Sequence, residues 1–493
     1  MLAAAYLAGG LLMDVAPSHD AVVRDGIARQ LLAGETAGRQ GLVSSACWGP
    51  LSTLAALPFV FLASGWAVPL GPLIASALFG AATIFLLEQA LRMWGAGRWR
   101  WVLAAGLACN PLFVAECWNG SPATIVAALA VLATYSLASW VARRRLPDLV
   151  WFALATALLV AAGIELAPWV LAAWCCLAAS EILRRADAQE REATAILAFL
   201  PGLYVAALWT LMNWLIMGDP LYFVRPLLAS NRPATGGVFL SGWFMALVAC
   251  LIAFMALALA RAAWRRDSGG AAVSLMGLAL AGGAGLLARA GLLWESSPLF
   301  GSLLPLAFLA AGHWAATGSA GSEADPRPAG AAPDSRVGLN WALSSLVACA
   351  SAAMLAGWGW GTGREPRTAG PWETAGQEVA NDWITPLEHH VRSPGGAVKV
   401  FVCGYESFDL LRTDPGGLFV RALDFDFDKA RRDYYGQALY ILVRRPVRRV
   451  GADSVYMKHR NIYIQGGRDT LYDSDWGEWR LFEIVQGTLN RRG

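Results

Sequence analysis

Eleven long, nearly uncharged stretches constrain this chain more than any other feature of its sequence. They cover residues 2–13, 67–93, 101–115, 123–141, 149–163, 169–183, 193–217, 239–260, 271–293, 298–316 and 339–359. A helix that crosses a bilayer needs about 20 largely apolar residues. In lipid such a segment must satisfy its backbone hydrogen bonds internally, so helices are the expected form. The overall make-up agrees, with 56% hydrophobic and 15% charged residues, against about 25% charged in an ordinary soluble domain. The 23 Trp suit aromatic belts at the two interfaces. The first run is too short to cross alone, so it either tilts into a thinned bilayer or lacks residues ahead of Met1. A net charge of +3 gives no nucleic-acid footprint.

Short arginine-rich loops set the expected orientation, because Lys and Arg collect on the cytoplasmic side. Arg92, Arg98 and Arg100 form one cluster, and Arg143, Arg144 and Arg145 a second. Arg184, Arg185 and Arg191 form a third, and Arg261, Arg265 and Arg266 a fourth. They fall between every second pair of runs, so all four can share the inner side. The apolar segment 48–65 breaks this alternation if it crosses, and is therefore expected to dip into the membrane and return to the outer face. The expected organisation is a membrane domain over residues 1–359, holding an outer juxtamembrane segment at 14–65 and a cytoplasmic linker at 317–337. An outer soluble domain follows over 360–493. Within it, GAVKVFVCG, ALYILVRRP, NIYIQGG and RLFEIVQ read as strands bounded by Gly and Pro, while YESFDLLR and FDKARRDYYG have helical spacing. The expected fold class is a polytopic α-helical membrane protein of about eleven spans plus juxtamembrane helices, with a small C-terminal α/β domain.

Residues 14–65 are the most informative for chemistry. Asp14 stands at the membrane boundary, His19 and Asp20 follow, and residues 21–32 have helical periodicity with Arg24, Asp25 and Arg29 among them. Ser18 or Asp20 can cap that helix by accepting a free backbone N–H. Read from its residues alone, this is a capped amphipathic helix on the membrane surface. Arg24 and Arg29 either bind phosphate or snorkel. Arg289 sits inside a span, where an ionisable group marks function by default, though it too can snorkel. Glu116, Trp118 and Asn119 line a short outer loop, and Glu165 lies between two spans in GIELAP. Asp219 in GDPLY starts a turn. Asp424, Asp426 and Asp428 alternate as if along a strand, and His389–His390 is a surface pair; neither reads as a metal site. The eight Cys lack metal spacing. Cys109, Cys175, Cys176, Cys250 and Cys349 lie in apolar runs, whereas Cys47, Cys117 and Cys403 fall in expected outer segments and leave a disulfide open.

Together these stretches resemble a known family. The first-loop Asp, the helix ARQLLAG, the GLV and WGPL that follow, CNPLF, NWLIMGDPLYF and LLPLAFLAAG are similar, in order and sidedness, to the GT-C superfamily of membrane glycosyltransferases. That superfamily includes the bacterial lipid A aminoarabinose transferases and the protein O-mannosyltransferases. The resemblance covers nearly the whole chain and implies a GT-C-like membrane fold. It also implies inverting, metal-independent transfer of a sugar from a polyprenyl-phosphate donor, at the outer face and without a cofactor. Asp20 matches the family's first-loop Asp and would be the general base, with Asp14 the second candidate. Arg24, Arg29 and Arg289, with Glu116, Asn119 and Glu165, would contact donor or acceptor. The chain departs from the pattern where Ala21, Val22 and Val23 follow Asp20, where ESSPLFGS replaces a late basic residue, and where a middle-loop Arg-Pro is missing. The expected partners are a lipid-linked sugar, membrane lipids and an acceptor that is a glycolipid, polysaccharide or protein. A silent scaffold whose outer domain binds a partner in an envelope or surface-filament complex is the alternative. A transporter fits less well, since no internal repeat is present and Glu88 lies near the basic end of its span. Arg in preference to Lys, with Ala- and Trp-rich spans, points to a bacterial inner membrane, with the C-terminal domain on its periplasmic side.

Overall fold

The computed structural model describes residues 1–12, 18–34, 36–44, 49–62, 69–185, 187–224, 242–289 and 298–319. Beyond these it describes 386–387, 389–391, 398–402, 419–421, 438–444, 462–465, 470–476 and 479–484. The membrane domain begins with α1 (Leu2–Leu12), α2 (His19–Leu32), α3 (Thr36–Ser44), α4 (Pro50–Leu62) and α5 (Leu70–Met93). Next come α6 (Trp99–Ala108), α7 (Pro111–Trp118), α8 (Ala123–Arg143) and α9 (Leu146–Ala162). A 3-10 turn, Ile164–Leu166, leads into α10 (Ala167–Leu183) and α11 (Ala188–Met217). After a second such turn at Tyr222–Val224 come α12 (Gly242–Arg265), α13 (Ser268–Arg289) and α14 (Pro298–Ser319).

α8 is the centre of this bundle and packs against α5, α9, α13 and α14. Its residues from Ala123 to Val131 are all buried, and most are Ala, Thr or Val. Lipid tails are as apolar as side chains, so helices in a bilayer associate through close packing rather than hydrophobic exclusion, and small residues permit the approach. Trp169 is buried on α10 and donates its indole N–H to the Met276 carbonyl of α13 at 3.0 Å.

The four arginine clusters share one face, as their spacing implies. Arg143 donates to the Met93 carbonyl at 2.7 Å, and Arg144 at the end of α8 pairs with Glu181 of α10. Arg261 and Arg265 reach the carbonyls of Trp314 and Thr317 at the end of α14. Trp94 meets His313 edge-on, with ring centres 4.6 Å apart. α4 lies on the opposite face with both its ends. Gly49, just ahead of it, donates to Ala162 at the end of α9, and Ala56 and Val60 pack with Ala28 of α2 and Ala75 near the start of α5. Since α5 and α9 have those ends on the same side of the bundle, α4 does not cross it.

The number of spans is corrected. Among the described residues four helical segments are long and apolar enough to cross a membrane: Leu70–Met93, Ala123–Arg143, Ile164–Leu183 and Ala188–Met217. A fifth is a pair, α6 and α7, bent by 55°. Asn110 makes that bend: its Oδ1 accepts from Leu112 and Phe113 and caps α7, so the apolar run at 101–115 is two helices. α9 has 17 residues, roughly 26 Å at 1.5 Å per residue, short of the roughly 30 Å hydrocarbon core. α1 has 11. The expected span at 339–359 and most of the linker at 317–337 lie outside the described residues, and α14 runs on to Ser319.

The C-terminal domain has a five-stranded sheet in the order β2-β1-β3-β5-β4. The strands are β1 (Val398–Val402), β2 (Phe419–Arg421), β3 (Ala438–Arg444), β4 (Thr470–Trp476) and β5 (Trp479–Ile484). β1 pairs in parallel with β2 and β3, while β3–β5 and β5–β4 are antiparallel. Three expected strands are present as β1, β3 and β5. NIYIQGG is corrected: Ile462–Gln465 is one helical turn. Tyr463 of that turn stacks beneath Arg480, whose Nη1 donates to the Tyr463 carbonyl at 2.7 Å. The helices expected at YESFDLLR and FDKARRDYYG lie outside the described residues. One side of the sheet, with Phe401, Leu439, Ile441, Val443, Phe482 and Ile484, packs on Val43 of α3 and Met217 of α11. The sheet therefore sits on the face opposite the arginines.

Candidate functional site

Residues of α2 and the turn between α7 and α8 come together on the sheet-bearing face. Ser18 starts α2, its hydroxyl accepting from Ala21 N–H at 3.2 Å. Asp20 in the first turn and Arg29 in the last complement the helix dipole. The helix is not the surface-lying amphipathic element its composition suggests. Asp20, Ala21, Val22, Val23, Arg24 and Asp25 are all buried, six consecutive residues covering the whole circumference. α3, α4 and α5 enclose it.

Arg24 fastens this helix. Its Nε donates to the Asp20 carbonyl at 3.0 Å, and its Nη2 to the Gly120 carbonyl at 2.6 Å. Burial pushes the guanidinium down to about 10, and the negative charge of Asp20 opposes that fall. Arg24 thus stays cationic at neutral pH, and two of its donors are committed to backbone oxygens. A second bond reinforces the junction: Ser18 N–H donates to the Asn119 carbonyl at 2.7 Å. Asn119 closes α7, and its Oδ1 accepts from Ser121 N–H at 2.9 Å. Gly120 has φ +77°, and a Cβ there would stand 2.8 Å from the Ala21 Cβ. This is a backbone conformation and a contact that only glycine accommodates without cost. Glu116, half-buried one turn earlier, accepts from the Ser76 hydroxyl through its carbonyl at 2.6 Å.

The structure gathers Asp20, Arg24, Asn119 and the Glu116 backbone into one locus. Arg29 is engaged at the other end of α2, where its Nε pairs with Asp25 Oδ2 at 2.7 Å, and it is part-exposed. Arg24 and Arg29 both have structural partners within the chain, Arg24 through Nε and Nη2 and Arg29 through Nε. Glu165 is buried in the turn between α9 and α10. Arg289 ends α13, but its side chain lies outside the described residues, as does Asp14. Asp219 forms the expected turn, accepting from Leu221 N–H at 3.1 Å. Asp424, Asp426 and Asp428 lie outside the described residues, among which no group of His, Cys, Asp and Glu could hold a metal. His390 is exposed and paired with Asp473 at 2.8 Å.

Two contributors are not evident from the sequence patterns considered above. Asp25 is buried and holds Arg29; the two acid-to-base pairs spaced by four residues along α2, Asp20–Arg24 and Asp25–Arg29, were the available signal. Asn213 of α11 donates to the Val43 carbonyl at 2.8 Å, and Trp209 donates to the same oxygen at 3.0 Å, joining α3 to α11 beneath the sheet. No protein-family model matches the chain, and no curated protein matches it at a significant level.

Proposed function

We propose that this membrane protein transfers a sugar from a polyprenyl-phosphate donor to an acceptor hydroxyl at the sheet-bearing face, with Asp20 as general base. The observation that carries this reading is the burial of Asp20 in a helix that follows the first apolar segment and is bolted to the turn after α7. A carboxylate held out of water suits proton abstraction once an acceptor hydroxyl comes within hydrogen-bond reach. The order of apolar segments and the position of the sheet opposite the arginines support the GT-C resemblance, and the positive-inside rule makes the sheet face extracytoplasmic.

In the proposed reaction the acceptor O–H proton passes to the Asp20 carboxylate as the oxygen attacks the anomeric carbon. The bond from that carbon to the lipid-phosphate oxygen breaks, and the lipid phosphate leaves with the electron pair. A single displacement inverts the anomeric configuration, and no metal takes part. Arg24 keeps α2 in place and its positive charge close to the carboxylate. Arg24, Arg29 and Arg289, with Glu116, Asn119 and Glu165, are the candidates for donor and acceptor contacts. Incubating purified full-length protein in nanodiscs with a panel of polyprenyl-phosphate sugars tests the proposal. It requires release of lipid phosphate coupled to appearance of a glycosylated acceptor.

Two observations favour a second reading, a silent scaffold. Arg24 bonds to backbone carbonyls, which fits a helix clamp, and the sheet rests on the ends of α3 and α11, which fits a platform for another protein. Stable folding with no donor turnover across the panel would select this reading.

A further inference from the structure

On the arginine face, remote from Asp20, α10 and α11 diverge and leave a cleft of about 400 Å³ between them. Its walls include Leu177, Ile182 and Phe199, and its polar residues include Glu181, Arg191 and Glu192. Ile182, and nearby Leu183 and Ile196, are exposed although strongly apolar, a pattern suited to contact with lipid.

Glu181 is unusual within the cleft. It is buried, and its Oε1 takes both the Arg144 guanidinium and the Trp140 indole N–H, at 3.2 Å for the latter. Arg144 reaches it from a left-handed turn, φ 55°, at the end of α8. Oε2 of the same carboxylate is buried and meets no donor among the described residues. An unmet acceptor on a buried charge costs more than an ordinary lost hydrogen bond. Exposed Arg191 donates from Nε to the Asp187 carbonyl at 3.3 Å, which leaves its two terminal nitrogens for an anion.

We infer that the α10–α11 cleft binds a zwitterionic phospholipid whose ammonium headgroup donates to Glu192 and lies in the field of the buried Glu181 carboxylate, whose phosphate meets Arg191, and whose acyl chain lies along Leu177, Ile182 and Phe199. A basic group at a membrane-facing helix end is a recurrent lipid-phosphate contact. The two carboxylates select an ammonium over a headgroup that carries only negative charge. A water-soluble solute would leave the apolar walls unmatched. The site is independent of the sugar-transfer reading.

The test is native mass spectrometry of the full chain in detergent, titrated separately with dioleoyl phosphatidylethanolamine and dioleoyl phosphatidylglycerol. Wild type should retain one phosphatidylethanolamine with about tenfold preference, equivalent to about 1.4 kcal/mol. Ala195→Phe, which fills the cleft, should reduce that retention about tenfold, and so should Arg191→Ala at its exposed position. Arg191→Ala decides the matter if Ala195→Phe lowers the unfolding temperature. Equal retention of the two lipids, or full retention by folded Arg191→Ala protein, would overturn the inference.

Discussion

Arg24 donates to the Gly120 carbonyl at 2.6 Å, across 96 residues of sequence, and so ties the helix that carries Asp20 to the turn between α7 and α8. The bond is buried, and its strength follows from that. Removing a charged donor strands the carbonyl it served. Arg24→Leu should cost about 3 kcal/mol of stability, seen as a thermal unfolding midpoint lowered by several degrees in detergent. An unchanged midpoint would mean the clamp is dispensable.

Gly120 and Gly218 offer a matched comparison. Both are left-handed, at φ +77° and +75°, but a Cβ at Gly120 would press on Ala21 whereas one at Gly218 meets open space. Alanine at either should cost about 1 kcal/mol for the backbone. Gly120→Ala should cost about 1–3 kcal/mol more for overpacking. Equilibrium unfolding of the two variants side by side checks this, and equal effects would deny the close approach of α2.

Met217 closes α11 against the sheet, packed with Val43, Phe401 and Phe482. Met217→Ala should open a cavity worth about 3 kcal/mol. Hydrogen exchange in β3 and β5 should then rise more than in α8. Uniform exchange across the chain would show that the sheet is not held through this contact.

Much of this architecture can be read from the sequence, and the exceptions have physical causes. The arginine loops gave the common face, since charge excluded from hydrocarbon is a strong local signal. Periodicity placed β1, β3 and β5. The break at Asn110–Pro111 was visible as an Asn-Pro turn, but an apolar run by itself cannot say whether the helix bends there. The short β2 and the bulged β4 carry little alternation; β4 shifts register between Tyr472 and Ser474. α2 departs furthest from its sequence pattern. Its polar residues looked like a solvent face because sequence spacing cannot tell that α3, α4 and α5 fold over it. For the same reason spacing along α2 does not show that Arg24 reaches Gly120, distant in sequence.

Proton abstraction by the Asp20 carboxylate is tested by the rate of sugar transfer by wild type and by Asp20→Asn under identical lipid and acceptor conditions. Asparagine is close to aspartate in size but cannot accept the proton. Turnover should fall about 10²- to 10⁴-fold, with thermal unfolding near that of wild type. Transfer at the wild-type rate by folded Asp20→Asn protein would contradict that role for Asp20.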